Sequence, residues 1–336
     1  MNIIGNHNKI SGLQVPVVLD VTLRDGGYLN NWNFNEQQIE TAIHSAETMG
    51  ADIIEIGYLD DKPGLPITAS WPPELLNRLR KKRRNIIIAA MVRPSVERAV
   101  SVLSSRKEFI DLARIPVDLR NTEPANRLSE ICDTLEIPYT FNLTSVTCYH
   151  LHEIEKAAGS LRKSARIFYI ADSRGALLTE AVAGVVGAIK EHWAGPVGYH
   201  AHNNLGLAIK NTEEAINCGC SFIDGSICGI GLGGRNLNLK DALRIAGKQS
   251  YATHEDDIAS EICEENLGVN PPADEMSLFT LSGERNIKME WVQLMYEQLG
   301  LNATAQILQN IPYSNMFDYL ELKPYIDNQT WQKIRW

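Results

Sequence analysis

The sequence predicts an α/β protein built as a (β/α)8, or TIM, barrel with a small C-terminal helical extension. Eight short apolar runs rich in β-branched residues alternate with amphipathic segments of helical periodicity, which is the element order of a parallel barrel. A doubly wound open sheet also alternates, but it usually has fewer units and a nucleotide-binding turn after its first strand. Here that turn reads Arg24-Asp-Gly-Gly-Tyr28, so the barrel is favoured.

The elements follow from periodicity and from their boundary residues. The predicted strands are residues 17–21, 52–57, 85–91, 110–115, 139–143, 166–171, 197–200 and 221–226. The predicted barrel helices are residues 35–49, 73–82, 95–105, 123–135, 152–161, 179–193, 205–218 and 237–247. Asn35 is a candidate N-cap, and Pro73 lies in the first turn of its helix.

Beyond the barrel we expect a C-terminal helical extension, so that residues 1–250 form the catalytic barrel and residues 251–336 the extension. Helical periodicity continues at residues 258–267, 286–299 and 303–310. The aromatic-rich tail, residues 311–336, is interpreted as a cap packed on the barrel. A partner-binding or oligomerisation surface is the alternative, and we expect a homo-oligomer.

The composition excludes several classes of protein. A net charge of -9 over 336 residues is not that of a general nucleic-acid or membrane-surface binder, which carries a basic face. The six cysteines do not resemble a secreted disulfide framework. Neither a signal peptide nor an apolar run of membrane-spanning length is evident. We therefore expect a cytoplasmic protein with no nucleic-acid and no membrane partner.

Strand seven ends in Tyr199-His-Ala-His202, which places two imidazoles two residues apart. Alternate residues of a strand point to the same face, so His200 and His202 can chelate one ion. Asp25, after strand one, adds a carboxylate at the barrel end where active sites of this fold lie. This set suits a catalytic Mn2+, Mg2+, Co2+ or Zn2+ ion. The alternative is that the histidines are structural.

Two buried charges on neighbouring strands need partners. Arg24 follows strand one, and Glu55 interrupts the apolar run of strand two. We predict that Glu55 pairs with Arg24 and aims its guanidinium at the substrate, where it neutralises developing negative charge. The alternatives are a pair of Arg24 with Asp25 alone, or a purely structural ion pair.

Further candidates for substrate contact follow other strands. Asp172, after strand six, either contacts substrate or orients a metal-bound histidine, and Ser173 beside it either contacts substrate or caps a helix. Asn142 on strand five is a weaker candidate. In the glycine-rich loop after strand eight, where barrels often bind phosphate, Arg235 is a candidate for holding a carboxylate or phosphate. Asn236 is a candidate metal ligand or helix cap.

Together these motifs resemble the HMGL-like superfamily of metal-dependent aldolases and lyases, which share a Leu-Arg-Asp-Gly turn on a (β/α)8 barrel. The resemblance covers about residues 15–250. Its carriers are Asp20-Val-Thr-Leu-Arg-Asp-Gly26, Ile54-Glu-Ile-Gly57, Asp172-Ser173, His200-Ala-His-Asn-Asn-Leu-Gly206 and Gly229-Ile-Gly-Leu-Gly-Gly-Arg-Asn236. The pattern is most similar to 4-hydroxy-2-oxovalerate aldolases. That resemblance implies Asp25, His200 and His202 as metal ligands and Arg24 as the enolate-stabilising residue.

Two positions depart from the aldolase pattern. Tyr28 stands where those aldolases have a histidine base, and Arg285 lies near the place of a tyrosine in their C-terminal helices. Tyr28 is therefore a candidate base or substrate-binding group, although a phenol with a pKa near 10 is a poor base at neutral pH. Arg235 or Arg285 would bind an anionic group on the second fragment. We expect an acceptor other than acetaldehyde.

The resemblance implies a class II aldolase or lyase that cleaves or forms a carbon–carbon bond beside the enolate of a pyruvate-like 2-oxo acid. Its small-molecule partners would be a 2-oxo acid and an aldehyde. One alternative is an acyl-CoA-dependent Claisen-type synthase, but such synthases keep a glutamate at the position of Leu232. The other is a catalytically silent binding subunit, an alternative that Tyr28 leaves open.

Overall fold

A computed structural model describes residues 10, 12–82, 86–93, 96–248 and 275–336. Its parallel strands close into a barrel in sequence order, and β1 pairs with both β2 and β8. The strands are β1 (Val17–Asp20), β2 (Ile53–Leu59), β3 (Ile87–Val92), β4 (Leu112–Val117), β5 (Tyr139–Leu143), β6 (Ile167–Asp172), β7 (Val197–Ala201) and β8 (Phe222–Gly225). The predicted fold class is confirmed.

Helices surround the barrel and continue past it. The helices among the described residues are α1 (Thr22–Asp25), α2 (Gly27–Asn30), α3 (Glu36–Met49), α4 (Ile67–Ser70), α5 (Pro73–Lys82), α6 (Val96–Ser104), α7 (Glu123–Leu135), α8 (Leu151–Ser160), α9 (Thr179–Lys190), α10 (Ala208–Asn217), α11 (Leu239–Ile245), α12 (Glu275–Arg285), α13 (Met289–Leu299), α14 (Leu301–Asn310) and α15 (Asn328–Trp331). Short 3-10 turns lie at Val146–Cys148, Ile227–Gly229 and Tyr319–Tyr325.

The interior of the barrel is apolar at one end and charged at the other. Leu19, Ile53 and Leu112 belong to a cluster of inward-facing strand residues that fills the lower part of the barrel. Because side chains alternate along a strand, Glu55 and Arg114, two residues further on, face the same interior. The interior side chains are therefore apolar in the lower part of the barrel and polar toward the carboxyl ends of the strands.

The first strand ends earlier than predicted. β1 stops at Asp20, and Arg24 and Asp25 lie in the one-turn helix α1 rather than on a strand end. The Asp25 amide donates to the Val21 carbonyl (2.8 Å), which closes that turn. Because the chain turns here, these two consecutive residues do not alternate as strand residues would, and their side chains contact each other.

Several helix boundaries differ from the predictions for local reasons. Asn35 caps α3 with a full capping box, as predicted. The predicted helix 205–218 begins only at Ala208, whose amide binds the Asn203 side chain (3.1 Å). The predicted helix 286–299 begins only at Met289, because Asn286 has a positive φ of 56° and ends the preceding helix α12.

Helix α12 has no counterpart among the predicted elements. Its sequence contains serine, threonine and glycine, which have low intrinsic helix propensity. Gly283 packs closely on the loop after β6, since a Cβ there would lie 3.0 Å from the Gly175 carbonyl oxygen, which is tighter than ordinary van der Waals contact. Tertiary contact with the barrel therefore stabilises a helix that local propensity does not indicate.

The C-terminal residues build a second apolar cluster around Leu278, Val292 and Met295, and this cluster includes Leu232 from the loop after β8. The tail 311–336 contributes Ile311 to the same cluster. The domain boundary near residue 250 and the helix 258–267 lie outside the described residues and stay predictions. No helix within the described ranges is both long and apolar enough to cross a membrane.

Asp20 connects the end of β1 to the segment after β8. Its carboxylate accepts from the hydroxyl of Thr22 (2.7 Å), and that hydroxyl accepts from the amide of Ile227 (2.9 Å). Asp20 is completely buried, and this burial raises the pKa of its carboxyl to about 7. Near neutral pH a substantial fraction of native molecules therefore keeps a proton that the unfolded chain has released.

We expect Asp20→Asn to weaken the pH dependence of stability. A group whose pKa is higher in the native state stabilises it at low pH, and this stabilisation is lost as the pH rises through about 7. Between pH 6 and 8 the wild-type protein should lose about 1 kcal/mol through this carboxyl, and the variant should not. Urea unfolding of both proteins at the two pH values measures the difference. Parallel pH profiles would contradict the assignment.

Candidate active site

A cavity of about 460 Å³ opens at the carboxyl ends of the strands. Arg24, Asp25, His200 and His202 form part of its wall, and residues 288–290 at the start of α13 form another part. The cavity therefore lies between the barrel mouth and the C-terminal helices, at the place where barrels of this kind carry their chemistry.

Three ligand atoms converge in this cavity. The Nε2 atoms of His200 and His202 lie 3.3 Å apart. Each also lies close to Oδ2 of Asp25, at 3.7 Å from His200 and 3.5 Å from His202. Atoms that share one ion at roughly 2.1 Å are separated by about 3 to 3.5 Å in tetrahedral or octahedral geometry. The separations therefore fit a divalent ion after small adjustments.

The other side of each imidazole is held by the protein. His200 Nδ1 lies 3.1 Å from Oδ2 of Asp224, and His202 Nδ1 lies 3.2 Å from the carbonyl oxygen of Leu232. Such contacts fix ring orientation and aim the opposite nitrogen at a metal. This arrangement leaves both Nε2 atoms directed at Asp25.

The protonation states also suit a metal. Burial, together with Arg24 and the second imidazole, outweighs the attraction of Asp25 and lowers the pKa of His202 to about 4. Burial alone would raise the pKa of Asp25, but Arg24 and the two histidines lower it to about 2. At neutral pH, His202 is therefore a neutral donor and Asp25 an anionic one.

Asn236 lies beside these three residues. Its Nδ2 donates to Oδ2 of Asp25 (2.6 Å), which positions the carboxylate. Its Oδ1 is buried and has no hydrogen-bond partner among the residues that the structure describes. Unpaired buried oxygens are uncommon, so this atom is a candidate fourth ligand. The residues present thus fit a site with nitrogen and oxygen ligands and no thiolate.

A buried series of ion pairs supports the site from below. Nε of Arg24 donates to Oε2 of Glu55 (2.9 Å), and Arg114 donates to the same oxygen (2.8 Å). Arg114 also donates to Oδ2 of Asp224 (2.7 Å), the oxygen that faces His200. We call this series, from Arg24 through Glu55, Arg114 and Asp224 to His200, the charge chain. Arg24 also donates to Asp25.

Asp172, Ser173 and Asn142, the three candidates for substrate contact, differ in whether they line the cavity. The Asp172 carboxylate accepts from the amides of Ala176 (3.0 Å) and Leu177 (3.1 Å) in its own loop and is not part of the cavity wall. Ser173 and Asn142 do line the cavity. Ser173 does not cap a helix; its Oγ accepts from the amide of Ser145 (2.9 Å).

The role of orienting a histidine belongs to Asp224 rather than to Asp172. Backbone amides hold both oxygens of Asp172, whereas Asp224 reaches His200 directly. Burial raises the pKa of Asp172 to about 6 despite these bonds. The signal for Asp224 was present in the sequence, since an acidic residue in the apolar run of β8 resembles Glu55 in β2.

Neither Arg235 nor Arg285 belongs to the cavity wall. Arg235 donates to the carbonyl oxygen of Cys228 (3.0 Å) within its own loop, and Arg285 lies at the end of α12. Besides Arg24 and Arg114, the cationic side chains that line the cavity are those of Arg120, Arg174 and Lys288. The sequence alone does not indicate that Arg120, Arg174 and Lys288 line one cavity, because they lie in three distant parts of the chain.

The glycine-rich loop after β8 serves the site through packing. A Cβ at Gly231 would lie 2.4 Å from Nδ2 of Asn236, and one at Gly233 would lie 2.0 Å from Sδ of Met289. The Gly234 amide donates to the Asn204 side chain (2.8 Å), so it is not free for an anion. The glycines therefore allow close approach of Asn236 and α13.

Tyr28 lies in a pair of phenols. Its hydroxyl is 3.1 Å from that of Tyr58, and both residues line the cavity. The neighbouring Tyr58 and burial raise the pKa of Tyr28 well above its usual value. The phenol is therefore protonated at neutral pH, which makes Tyr28 a proton donor or binding group rather than a base.

Loss of one imidazole should remove metal binding. We expect His202→Ala to weaken the affinity for Mn2+, Mg2+, Co2+ or Zn2+ by more than about 100-fold, because it deletes one of three converging ligands. Isothermal titration calorimetry on protein stripped with a chelator measures this. His152→Ala, on the exposed face of α8, is the matched control and should bind as wild type. Equal affinities for both variants would exclude this site.

Removal of the charge at Glu55 should destabilise the barrel. Glu55→Gln leaves Arg24 and Arg114 buried without their shared carboxylate, and breaking such a pair costs about 3–5 kcal/mol. Urea unfolding measures this loss. The control is Glu36→Gln, whose ion pair with Arg78 is more than half exposed on both sides and should matter by at most about 1 kcal/mol. Similar losses in both variants would argue against the charge chain as a stabilising element.

Comparison with known proteins finds an HMGL-like region in this chain. The HMGL-like family model matches residues 127–261. An oxaloacetate decarboxylase of Mycobacterium tuberculosis is 25% identical over 307 residues, 88% of this chain and 90% of that protein. A 4-hydroxy-2-oxovalerate aldolase of Thermomicrobium roseum is 30% identical over 230 residues, 67% of this chain and 64% of that protein. The matched region thus spans slightly less than two thirds of that aldolase.

Two solved structures share the architecture. The N-terminal domain of a candidate aldolase from Bacteroides vulgatus has a TM-score of 0.72 at 25% identity, with 86% of this chain and 99% of that chain covered. The carboxyl transferase domain of Rhizobium etli pyruvate carboxylase with pyruvate and biocytin has a TM-score of 0.67 at 17% identity, with coverage of 89% and 56%. The second likeness shows the fold alone. The motifs and the closed barrel agree with the match of residues 127–261 to the HMGL-like family model.

Proposed function

We propose that this protein is a divalent-metal-dependent carbon–carbon lyase that acts on a 2-oxo acid through its enolate. The observation that carries the proposal is the position of Arg24. Its guanidinium contacts Asp25, is fixed by Glu55 (2.9 Å) and lines the same cavity as the three converging ligand atoms. A cation fixed beside a metal group suits a reaction in which negative charge develops on an oxygen.

Each group of residues in the site has a separate role in the proposed reaction. A divalent ion held by Asp25, His200 and His202 supplies Lewis acidity toward a 2-oxo group. Arg24 donates hydrogen bonds to the oxygen on which charge accumulates as the carbon–carbon bond breaks. Glu55 keeps Arg24 from turning away, so the donor needs no reorganisation during the reaction. Arg120 and Lys288 would bind an anionic group on the remainder of the substrate.

The acid–base groups favour decarboxylation over aldol cleavage. Aldol cleavage begins with removal of a hydroxyl proton by a base, whereas loss of carbon dioxide from a 2-oxo dicarboxylate needs none. Tyr28 and Tyr58 both have raised pKa values and stay protonated. The cavity carboxylates Asp118 and Glu290 are paired with Arg120 and Lys288. The oxaloacetate decarboxylase relative, matched over 90% of its length, supports this substrate class.

Aldol cleavage with an aldehyde product is the second candidate, supported by the 30% identical aldolase relative. A Claisen-type synthase fits less well, because the residue at the position of the synthases' glutamate is Leu232, whose side chain packs in the C-terminal apolar cluster. A silent binding subunit would not need Arg24 to be buried and fixed by ion pairs.

We expect the wild-type protein to exchange the C3 protons of pyruvate for deuterium in a metal-dependent way, and to decarboxylate oxaloacetate faster than free metal does. Arg24→Lys should lower both rates at least about 100-fold, because the single nitrogen of a lysine cannot reproduce the planar fork by which Arg24 contacts Glu55 and Asp25 through separate nitrogens and keeps a further donor for a substrate oxygen. NMR in D2O with Mg2+, then with chelator, measures both rates. Arg78→Lys, an exposed residue of α5, is the control.

The same samples distinguish the candidates. Condensation of pyruvate with an added aldehyde would identify an aldolase, and strict dependence on acyl-CoA would identify a synthase. A wild-type protein that binds metal but neither exchanges pyruvate nor cleaves any 2-oxo acid would contradict the proposal. Full turnover in Arg24→Lys would remove the role assigned to Arg24.

A further inference from the structure

A bulge in β2 turns Tyr58 into the cavity. The pairing of β2 with β3 is regular up to Glu55 and resumes at Tyr58 with a shifted register. Because Glu55 faces the interior, strict alternation would turn Tyr58 outward. Gly57 absorbs the change with a φ of 128°, and a Cβ there would lie 2.0 Å from the carbonyl oxygen of Thr68. The bulge thus interrupts the alternation of side chains along β2 and places the phenol of Tyr58 in the cavity.

Aromatic packing holds that phenol in place. The ring of Trp32 lies edge-on between Tyr28 (4.7 Å) and Tyr58 (5.5 Å). Its Nε1 donates to the carbonyl oxygen of Arg24 (3.0 Å), which ties this group to the turn that carries Arg24. The guanidinium carbon of Arg93 lies over the Tyr58 ring, 4.6 Å from the ring centroid. Both phenols therefore have fixed positions beside Arg24.

The two hydroxyls leave one proton free. They lie 3.1 Å apart, so one donates to the other. Each hydroxyl has one proton, and the structure shows no other hydrogen bond to either of them among the described residues. The second proton of the pair is therefore available to a molecule in the cavity. Arg24, which acts on an enolate oxygen, is one of the main charges that act on Tyr58.

We propose that Tyr58 is a catalytic residue that, together with Tyr28, delivers a proton to C3 of the enolate; this inference rests on the proposed function. In the step, the O–H bond of Tyr58 breaks and a C–H bond forms at C3, which converts the enolate into the 2-oxo acid. The resulting phenolate accepts a hydrogen bond from Tyr28 and faces Arg24. Water returns the proton when the product leaves, so one solvent proton is consumed per turnover.

The test separates proton delivery from bond cleavage. In D2O with Mg2+, C3 exchange of pyruvate runs this step in reverse and then forward, since the Tyr58 phenolate must remove a C3 proton before the phenol delivers a deuteron, whereas loss of carbon dioxide from oxaloacetate needs only enolate stabilisation. We expect Tyr58→Phe and Tyr28→Phe each to slow exchange at least about 100-fold, with oxaloacetate cleavage reduced less than about tenfold. Metal affinity should equal that of wild type, which also shows that the variants are folded.

Tyr139→Phe is the matched control, since Tyr139 starts β5 at the far end of the barrel and its hydroxyl contacts Ser164 (2.7 Å). It should exchange as wild type. Wild-type exchange rates in both cavity variants would overturn this inference and leave the proposed function intact. Equal loss of exchange and cleavage would also overturn it, because the phenols would then act on binding. A wild-type protein with neither activity would overturn both.

Discussion

The charge chain is the interaction on which the rest of the site depends. Glu55 is completely buried and accepts hydrogen bonds from Arg24 and Arg114. Arg114 also donates to Asp224, whose carboxylate contacts His200. Buried charges are costly unless they are paired and hydrogen-bonded. Neither Arg24, the proposed oxyanion donor, nor His200, a candidate metal ligand, can therefore move without disturbing groups on other strands.

The balance of charge explains why a cation belongs here. The chain and its neighbour Asp25 contain three carboxylates, those of Asp25, Glu55 and Asp224, against the two guanidinium groups of Arg24 and Arg114. His202 stays neutral at this position. The excess of negative charge lies in a water-poor interior, where electrostatic interactions are strong. A divalent ion would more than offset this one excess negative charge, and the barrel geometry brings the three candidate ligand atoms close together.

The C-terminal region gives the barrel its particular cavity. Arg174, from the loop after β6, donates to the backbone carbonyls of Asn286 and Met316, and Phe317 stacks under Arg120 at 4.0 Å. These contacts hold the C-terminal region against the mouth of the barrel. They also bring Lys288 and Glu290 to the cavity wall. The C-terminal region therefore adds cationic and aromatic side chains to the mouth of the barrel.

The barrel could be predicted from the sequence alone, and so could the candidate ligands Asp25, His200 and His202, which the structure brings together. Periodicity follows from burial on two faces, and the spacing of His200 and His202 follows from strand geometry, so both are local properties. The tertiary structure alone decided which distant groups meet. It paired Asp224, rather than Asp172, with His200, left Arg235 and Arg285 outside the cavity, and brought in Tyr58 through a bulge at Gly57. Long-range contacts and register shifts depend on the packing of the whole chain, and no local pattern encodes them.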